Sequence, residues 1–238
     1  AASRKEYDAA QATIKDLTKK VSDANVTIVD LQGDKAKLAD KYDKLQKETD
    51  ARFAGIVTAG KRVVFLVDIS GSMAKRDTNT ADPTKWPIVV ETVSKVMRSV
   101  VGLEKYQVVI FSSSAKWLIG SGEWRDYDGE KSIDDVKKAL MTVKPHDDTN
   151  LHAGLEKAFS LREPGGLDVI YLFSDGIPER QRNGKNEDIP KDEVIAKAVE
   201  LNLTRKLRIN CYGFATASNN VREFLRSLAT ANDGEYKD

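Results

Sequence analysis

The chain of 238 residues holds a single cysteine, Cys211, so no internal disulfide can form. It lies in the apolar run LRINCYGF, where a buried, inert thiol is expected. No apolar stretch reaches the roughly 18 residues that a membrane-spanning helix needs. No block of Lys or Arg occurs and the formal net charge is only +1, which excludes the usual nucleic-acid binder with its basic phosphate-facing patch. Histidine is scarce: His146 and His152 are the only two, so few general bases could serve a nucleophilic serine. No Walker-type phosphate loop is present, and GSGEW lacks the spacing of a dinucleotide fingerprint. No secretory signal is visible, yet the chain starts at Ala1 without methionine. The expectation is a membrane-anchored or extracytoplasmic protein with a signal or anchor upstream, a cytoplasmic one being the alternative.

What the chain does have is charge. Charged residues make up 32% of it, above the usual quarter, and the excess lies near the amino terminus. There the pattern is a heptad repeat. One seam is Tyr7, Ile14, Val21, Ile28, Lys35, Tyr42 and Thr49; the other is Ala10, Leu17, Ala24, Leu31, Leu38, Leu45 and Arg52. The 3-4 spacing keeps its register throughout, which predicts a left-handed coiled coil over residues 1–54. β-Branched residues in the first seam and Leu in the second favour a parallel homodimer. Lys35 costs stability but can fix the register, and Gly33 weakens the middle by about 1 kcal/mol. At about 1.5 Å per residue such a stalk would reach on the order of 75 Å.

After a linker at 55–61 the pattern changes, and residues 62–238 read as one domain. Continuous apolar runs at 63–67 and 169–173 predict fully buried strands. Helical patterns follow at 84–101, 132–140 with Ser132 as N-cap, 151–161, 191–204 and 221–230. Strands at 107–111 and 116–119 are joined too tightly for a crossover, so that pair is antiparallel. A strand at 207–214 and a short last one complete the set. Strands alternating with helices predict an α/β fold: a doubly wound, mainly parallel sheet with helices on both faces. Trp86 and Trp117 are expected in the core, and Trp124 at the sheet edge away from the site, where it could contact another domain. Two polar loops, 74–85 and 177–190, leave the carboxyl ends of strands and would frame one edge.

That edge carries the chemistry. In VVFLVDISGSMAK the first strand ends in Asp68, Ser70 and Ser72, with Gly71 allowing the tight turn between the serines. A second buried strand ends in Asp175. Parallel strands put both acids on the same edge, where doubly wound sheets bind ligands. Thr149, before the helix near Leu151, offers a further oxygen, although helix capping competes for it. Two carboxylates and three hydroxyls are hard ligands suited to Mg²⁺, Mn²⁺ or Ca²⁺ and not to zinc. Few anionic ligands would leave such an ion electrophilic, open to an outside carboxylate. Asp147, Asp148 and His152 flank Thr149 and are candidate rim residues.

Asp68-Ile-Ser70-Gly-Ser72, Thr149 and the aspartate of the SDG stretch, Asp175, resemble the DxSxS, Thr and Asp parts of von Willebrand factor A (VWA) domains. The resemblance covers about residues 60–238. It implies a Rossmann-like fold with a metal-ion-dependent adhesion site, usually holding Mg²⁺, in which the serines and the threonine coordinate directly and the acids directly or through water. It also implies a protein partner that completes the shell with Glu or Asp. The expected function is therefore a non-enzymatic, cation-dependent binding or adhesion module on a coiled-coil stalk, with no nucleic acid and no membrane span within the chain. An assembly or chaperone component working beside a bacterial ATPase is the alternative, and a metal-dependent hydrolase a third. Asp147 and Asp148 depart from the small residues often found before the threonine.

Overall fold

The apolar run after Arg62 forms the central strand of a parallel sheet, and the rest of the domain is arranged around it. The computed structural model describes residues 2–54, 60–77, 79–162, 166–176, 178–182, 185–203, 207–214 and 218–238. The chain divides into two units, Ala1–Thr49 and Asp50–Asp238. Most of the linker expected at 55–61 lies outside the described residues.

The amino-terminal unit is helical, within helix α1 (Ala2–Ala54). Thr13, Thr18 and Thr27 turn their hydroxyls back to the carbonyls four residues earlier, which reconciles them with a helix interior. Ile14, Leu17, Val21, Ile28, Leu31 and Leu38 of the two seams are all at least half exposed in the single chain. These six apolar side chains are therefore open to solvent in the single chain.

In the second unit, β1 (Arg62–Asp68) leads through a 3₁₀ turn (Gly71–Ala74) into a small hairpin, β2 (Lys75–Asp77) and β3 (Thr80–Ala81). Then come α2 (Lys85–Ser99), β4 (Lys105–Phe111), β5 (Ala115–Trp117), β6 (Arg125–Asp126), α3 (Gly129–Thr142) and α4 (Leu151–Phe159). The chain continues through β7 (Val169–Phe173), the hairpin β8 (Glu179–Arg182) and β9 (Lys185–Asp188), α5 (Lys191–Asn202), β10 (Arg208–Tyr212), α6 (Asn219–Ala231) and β11 (Tyr236–Lys237). The main sheet has the order β11-β10-β7-β1-β4-β5, with β6 also on β4. The pairs from β11 to β4 are parallel; β5 and β6 run antiparallel to β4.

Period-2 alternation along the strands divides two cores. Val63, Phe65 and Val67 face α2 and α3, while Val64 and Leu66 face α4, α5 and α6. All five are fully buried, each such side chain contributing roughly 1.5–3 kcal/mol. Helices thus cover both faces of a doubly wound sheet. From β1 the chain crosses by α2 on one face to β4; from β7 it crosses by α5 on the other to β10. The switch point therefore lies between β1 and β7, at their carboxyl ends.

Several local expectations are corrected. The helix expected to start at Ser132 starts a turn earlier, at Gly129; Ser132 Oγ accepts from the Asp128 N–H from within the helix. The loops 74–85 and 177–190 contain the hairpins β2–β3 and β8–β9, whose polar, unalternating sequences carry no strand signal. Trp86 is in the first core, as expected, and Trp117 and Trp124 pack half-buried against the second. Cys211 is fully buried, and burial pushes its thiol well above the ordinary value.

Candidate functional site

The site forms where β1 and β7 end side by side, with Val67 paired to Phe173. One residue beyond that pair, Asp68 is fully buried. Its Oδ1 accepts from the Ser70 N–H at 2.8 Å, so the chain turns immediately after the strand. Its Oδ2 accepts from Ser174 Oγ at 2.5 Å. The turn is completed by Met73 N–H to Ser70 O and by Gly71 N–H to Asp147 O, the latter at 3.0 Å.

The serines then point back into one cluster. Ser70 Oγ and Ser72 Oγ lie 3.1 Å apart, and Ser72 Oγ donates to Asp175 Oδ1 at 2.7 Å. Thr149 is brought in by two anchors: His146 N–H donates to Ile69 O and Asn150 N–H to Ser112 O, both at 2.8 Å. It is 5% exposed. The cap of α4 is Asn150, whose side chain accepts from the Ala153 N–H, so Thr149 is not spent on capping. Gly176 closes the group: a Cβ there would stand 2.9 Å from Thr149 Oγ1 and 3.6 Å from Ser72 Oγ. That close backbone approach is what a glycine permits.

Asp68, Ser70, Ser72, Thr149 and Asp175 are thus gathered at one edge. Of the flanking residues, Asp147 is exposed, has φ 62°, and meets His146 Nδ1 at 2.6 Å. Asp148 is buried, and His152 is half-buried, its Nε2 meeting no hydrogen-bond partner among the described residues.

The electrostatics favour a cation. Burial, and then the charge of Asp175 nearby, push Asp68 up to about 7, against hydrogen bonds from Ser174 and Ser70 that pull it down. Asp68 and Asp175 are two buried carboxylates whose charges oppose each other, so positive charge beside Asp68 favours its ionised form. The donor set of two carboxylates and three hydroxyls fits a hard divalent ion. Among the described residues no group of three or more His, Cys, Asp or Glu could hold a metal ion, so any ion held here depends on the hydroxyls.

Lys85, which the sequence reading left at the end of a polar loop, belongs to the same cluster. It is 6% exposed, and its Nζ pairs with Asp175 Oδ2 and donates to Ser72 O and Lys75 O, each at 3.0 Å. Ser174, seen only as part of a strand end, is the hydroxyl on Asp68. A lysine opening a helix whose first turn has no acid was the available signal for the first; nothing in the sequence marks the second.

Residues 63–177 match the family model of the von Willebrand factor type A domain. Solved structures agree in fold. A von Willebrand factor type A protein from Catenulispora acidiphila is 18% identical with a TM-score of 0.57, over 77% of this chain and 39% of that one. The fold is that of a von Willebrand factor A domain. The PilB minor pilin from Streptococcus sanguinis has the same VWA-type arrangement at 19% identity and a TM-score of 0.51, over 76% of this chain and 56% of its own. So does the manganese-loaded TRAP protein of Plasmodium vivax, at 20% and 0.54, over 74% and 68%. At these identities the VWA likeness is one of fold, and the chain spans about two fifths of the first of these proteins and just over half of the second. No curated protein sequence matches the chain.

Proposed function

We propose that residues 62–238 form a VWA domain that binds a divalent cation through Asp68, Ser70, Ser72, Thr149 and Asp175 and uses it to hold a protein partner by a Glu or Asp side chain. Mg²⁺ is the ion of choice, with Mn²⁺ or Ca²⁺ as alternatives. The observation that carries the reading is the convergence of these five side chains at the switch point, with Gly176 admitting Thr149. A bound ion would supply an open position for a partner's carboxylate. The chain's own groups do the rest. The hydroxyls offer lone pairs without adding negative charge, and Asp68 is held from behind by Ser174 and the Ser70 N–H. Asp147, Asp148 and His152 are read as the rim.

The reading is one of binding rather than turnover. Among the described residues neither histidine bonds to Ser70 or Ser72; these hydroxyls bond to each other and to Asp175. A relative in fold that is manganese-loaded supports the divalent cation. A minor pilin of the same fold supports an extracytoplasmic place. Among the described residues no helix is long and apolar enough to cross a membrane. The open stripe on α1 supports a parallel coiled-coil homodimer, which would present two heads and add avidity to a weak single contact.

The test is capture of protein partners on immobilised protein, wild type against Asp68→Ala, with Mg²⁺ or with EDTA. Capture is expected only with wild type and ion. Equal capture in all four conditions would overturn the reading.

A further inference from the structure

The cluster already contains a cation of its own. The Lys85 ammonium has three N–H donors, and Asp175 Oδ2, Ser72 O and Lys75 O are among the acceptors it meets. The placement is costly twice over. Lysine is almost never this buried unless paired. Lys85 is also the first residue of α2, where the free N–H groups of a helix favour negative charge. A local conflict of this kind marks a residue placed for its effect on a site.

Both oxygens of Asp175 are thereby engaged within the protein: Oδ1 by Ser72 Oγ and Oδ2 by Lys85. We infer that Lys85 is a built-in competitor of the divalent cation, holding Asp175 while no ion is bound and weakening the ion's hold once it arrives. The inference rests on the cation site proposed above and deepens it. An ion held by Asp68, Ser70, Ser72 and Thr149 would share a buried, poorly screened cluster with the like charge of Lys85. It can reach Asp175 through Oδ1, but against the pull that the Lys85 ammonium exerts on the same carboxylate at Oδ2. Ion binding is therefore weaker and more readily reversed than the five oxygen ligands alone would make it, and the ion-free domain keeps its site folded.

A purely structural role makes the opposite prediction. Lys85 ties two carbonyls of the turn that carries Ser70 and Ser72; if it only stapled that turn, its loss would loosen the ligands and weaken ion binding. The decisive measurement is the Kd for Mn²⁺, read from free-ion electron paramagnetic resonance, with Mg²⁺ measured by competition. It is made on wild type, Lys85→Met and Lys85→Gln, the last keeping two donors for the carbonyls.

A Kd at least tenfold lower in the variants, with a lower ion-free Tm, is expected. A Kd that is unchanged or higher in the folded variants overturns the competitor while leaving the cation site standing. Binding by the variants but not by wild type supports the competitor and shows the wild-type site held shut. Binding by none of the three overturns both. Wild type supplies a readout that needs no variant: saturating Mg²⁺ should speed acylation of the Lys85 amine several-fold over EDTA, followed by peptide mass spectrometry. An unchanged rate counts against the inference even if both variants fail to fold.

Discussion

The Ser174 hydroxyl donates to Asp68 Oδ2 at 2.5 Å, joining side chains 106 positions apart in sequence. Both residues are essentially excluded from solvent. The bond ties the ends of β1 and β7 together behind the cluster and, with the Ser70 N–H on Oδ1, engages both oxygens of Asp68. It also leaves the carboxylate with no direct positive partner among the contacts described, the Lys85 ammonium going to Asp175 instead.

Stability without ion should depend on pH through Asp68. Its folded value, about 7, lies above the ordinary 3.8. A group raised in this way contributes its stability fully below the unfolded value, and the contribution is lost as pH rises through the folded one. In EDTA, wild type should lose stability between pH 4 and 7 by at most about 1.4 kcal/mol per pH unit from this group. Asp68→Asn should flatten that part of the profile of Tm against pH. Parallel profiles for the two proteins would show that Asp68 is not the group responsible.

Divalent ion should stabilise the domain. At a hundred times Kd, Mg²⁺ or Mn²⁺ is expected to add about 2.7 kcal/mol, seen as a rise in Tm. Asp68→Ala and Thr149→Ala should abolish the rise. Because the ion needs ionised Asp68, the rise should shrink below about pH 7. A Tm indifferent to millimolar ion would count against the site.

Gly176→Ala should separate folding from ion binding. The added methyl would stand 2.9 Å from Thr149 Oγ1 and force that hydroxyl aside. A folded domain by circular dichroism with Mn²⁺ affinity reduced at least tenfold is expected. Unaltered affinity would mean that Thr149 does not need its present position.

Gly154→Ala should destabilise, against the general rule for helices. In an exposed helix interior the change gains about 1 kcal/mol. Here the new Cβ would lie 3.0 Å from Phe111 Cγ and 3.2 Å from Leu66 Cδ1, where α4 presses on the sheet. Overpacking costs about 1–3 kcal/mol, so urea unfolding should show a net loss of up to about 2 kcal/mol once the helix gain is subtracted. A gain in stability would show that the core yields at this contact.

Helix α1 should hold two chains together. Sedimentation is expected to give a mass near twice 26.4 kDa, falling to monomer when residues 1–54 are removed or when Leu31→Asp and Leu38→Asp are combined. A monomer at high micromolar concentration would refute the dimer.

The order of strands and helices was legible because burial imposes periodicity: the unbroken run at 63–67 reads as a buried strand, and the 3-4 spacing at 7–52 reads as a long helix whether it pairs with a second chain or not. The hairpins β2–β3 and β8–β9 were not, since short polar strands on an exposed loop bury nothing that would pattern them. The start of α3 was misplaced by a turn because Ser132 caps well in general, whereas here its hydroxyl accepts from Asp128 at the turn before.

By itself the sequence determined the five oxygen-bearing positions and the sheet edge they share, because strand polarity and loop placement follow from local pattern. Only the tertiary structure decided how those oxygens are engaged. That Ser174 lies behind Asp68 and that Lys85 reaches Asp175 across 90 positions are contacts between distant segments. They depend on the packing of α2 and α4 against the sheet, and no local pattern encodes which distant hydroxyl or ammonium will arrive at a given carboxylate.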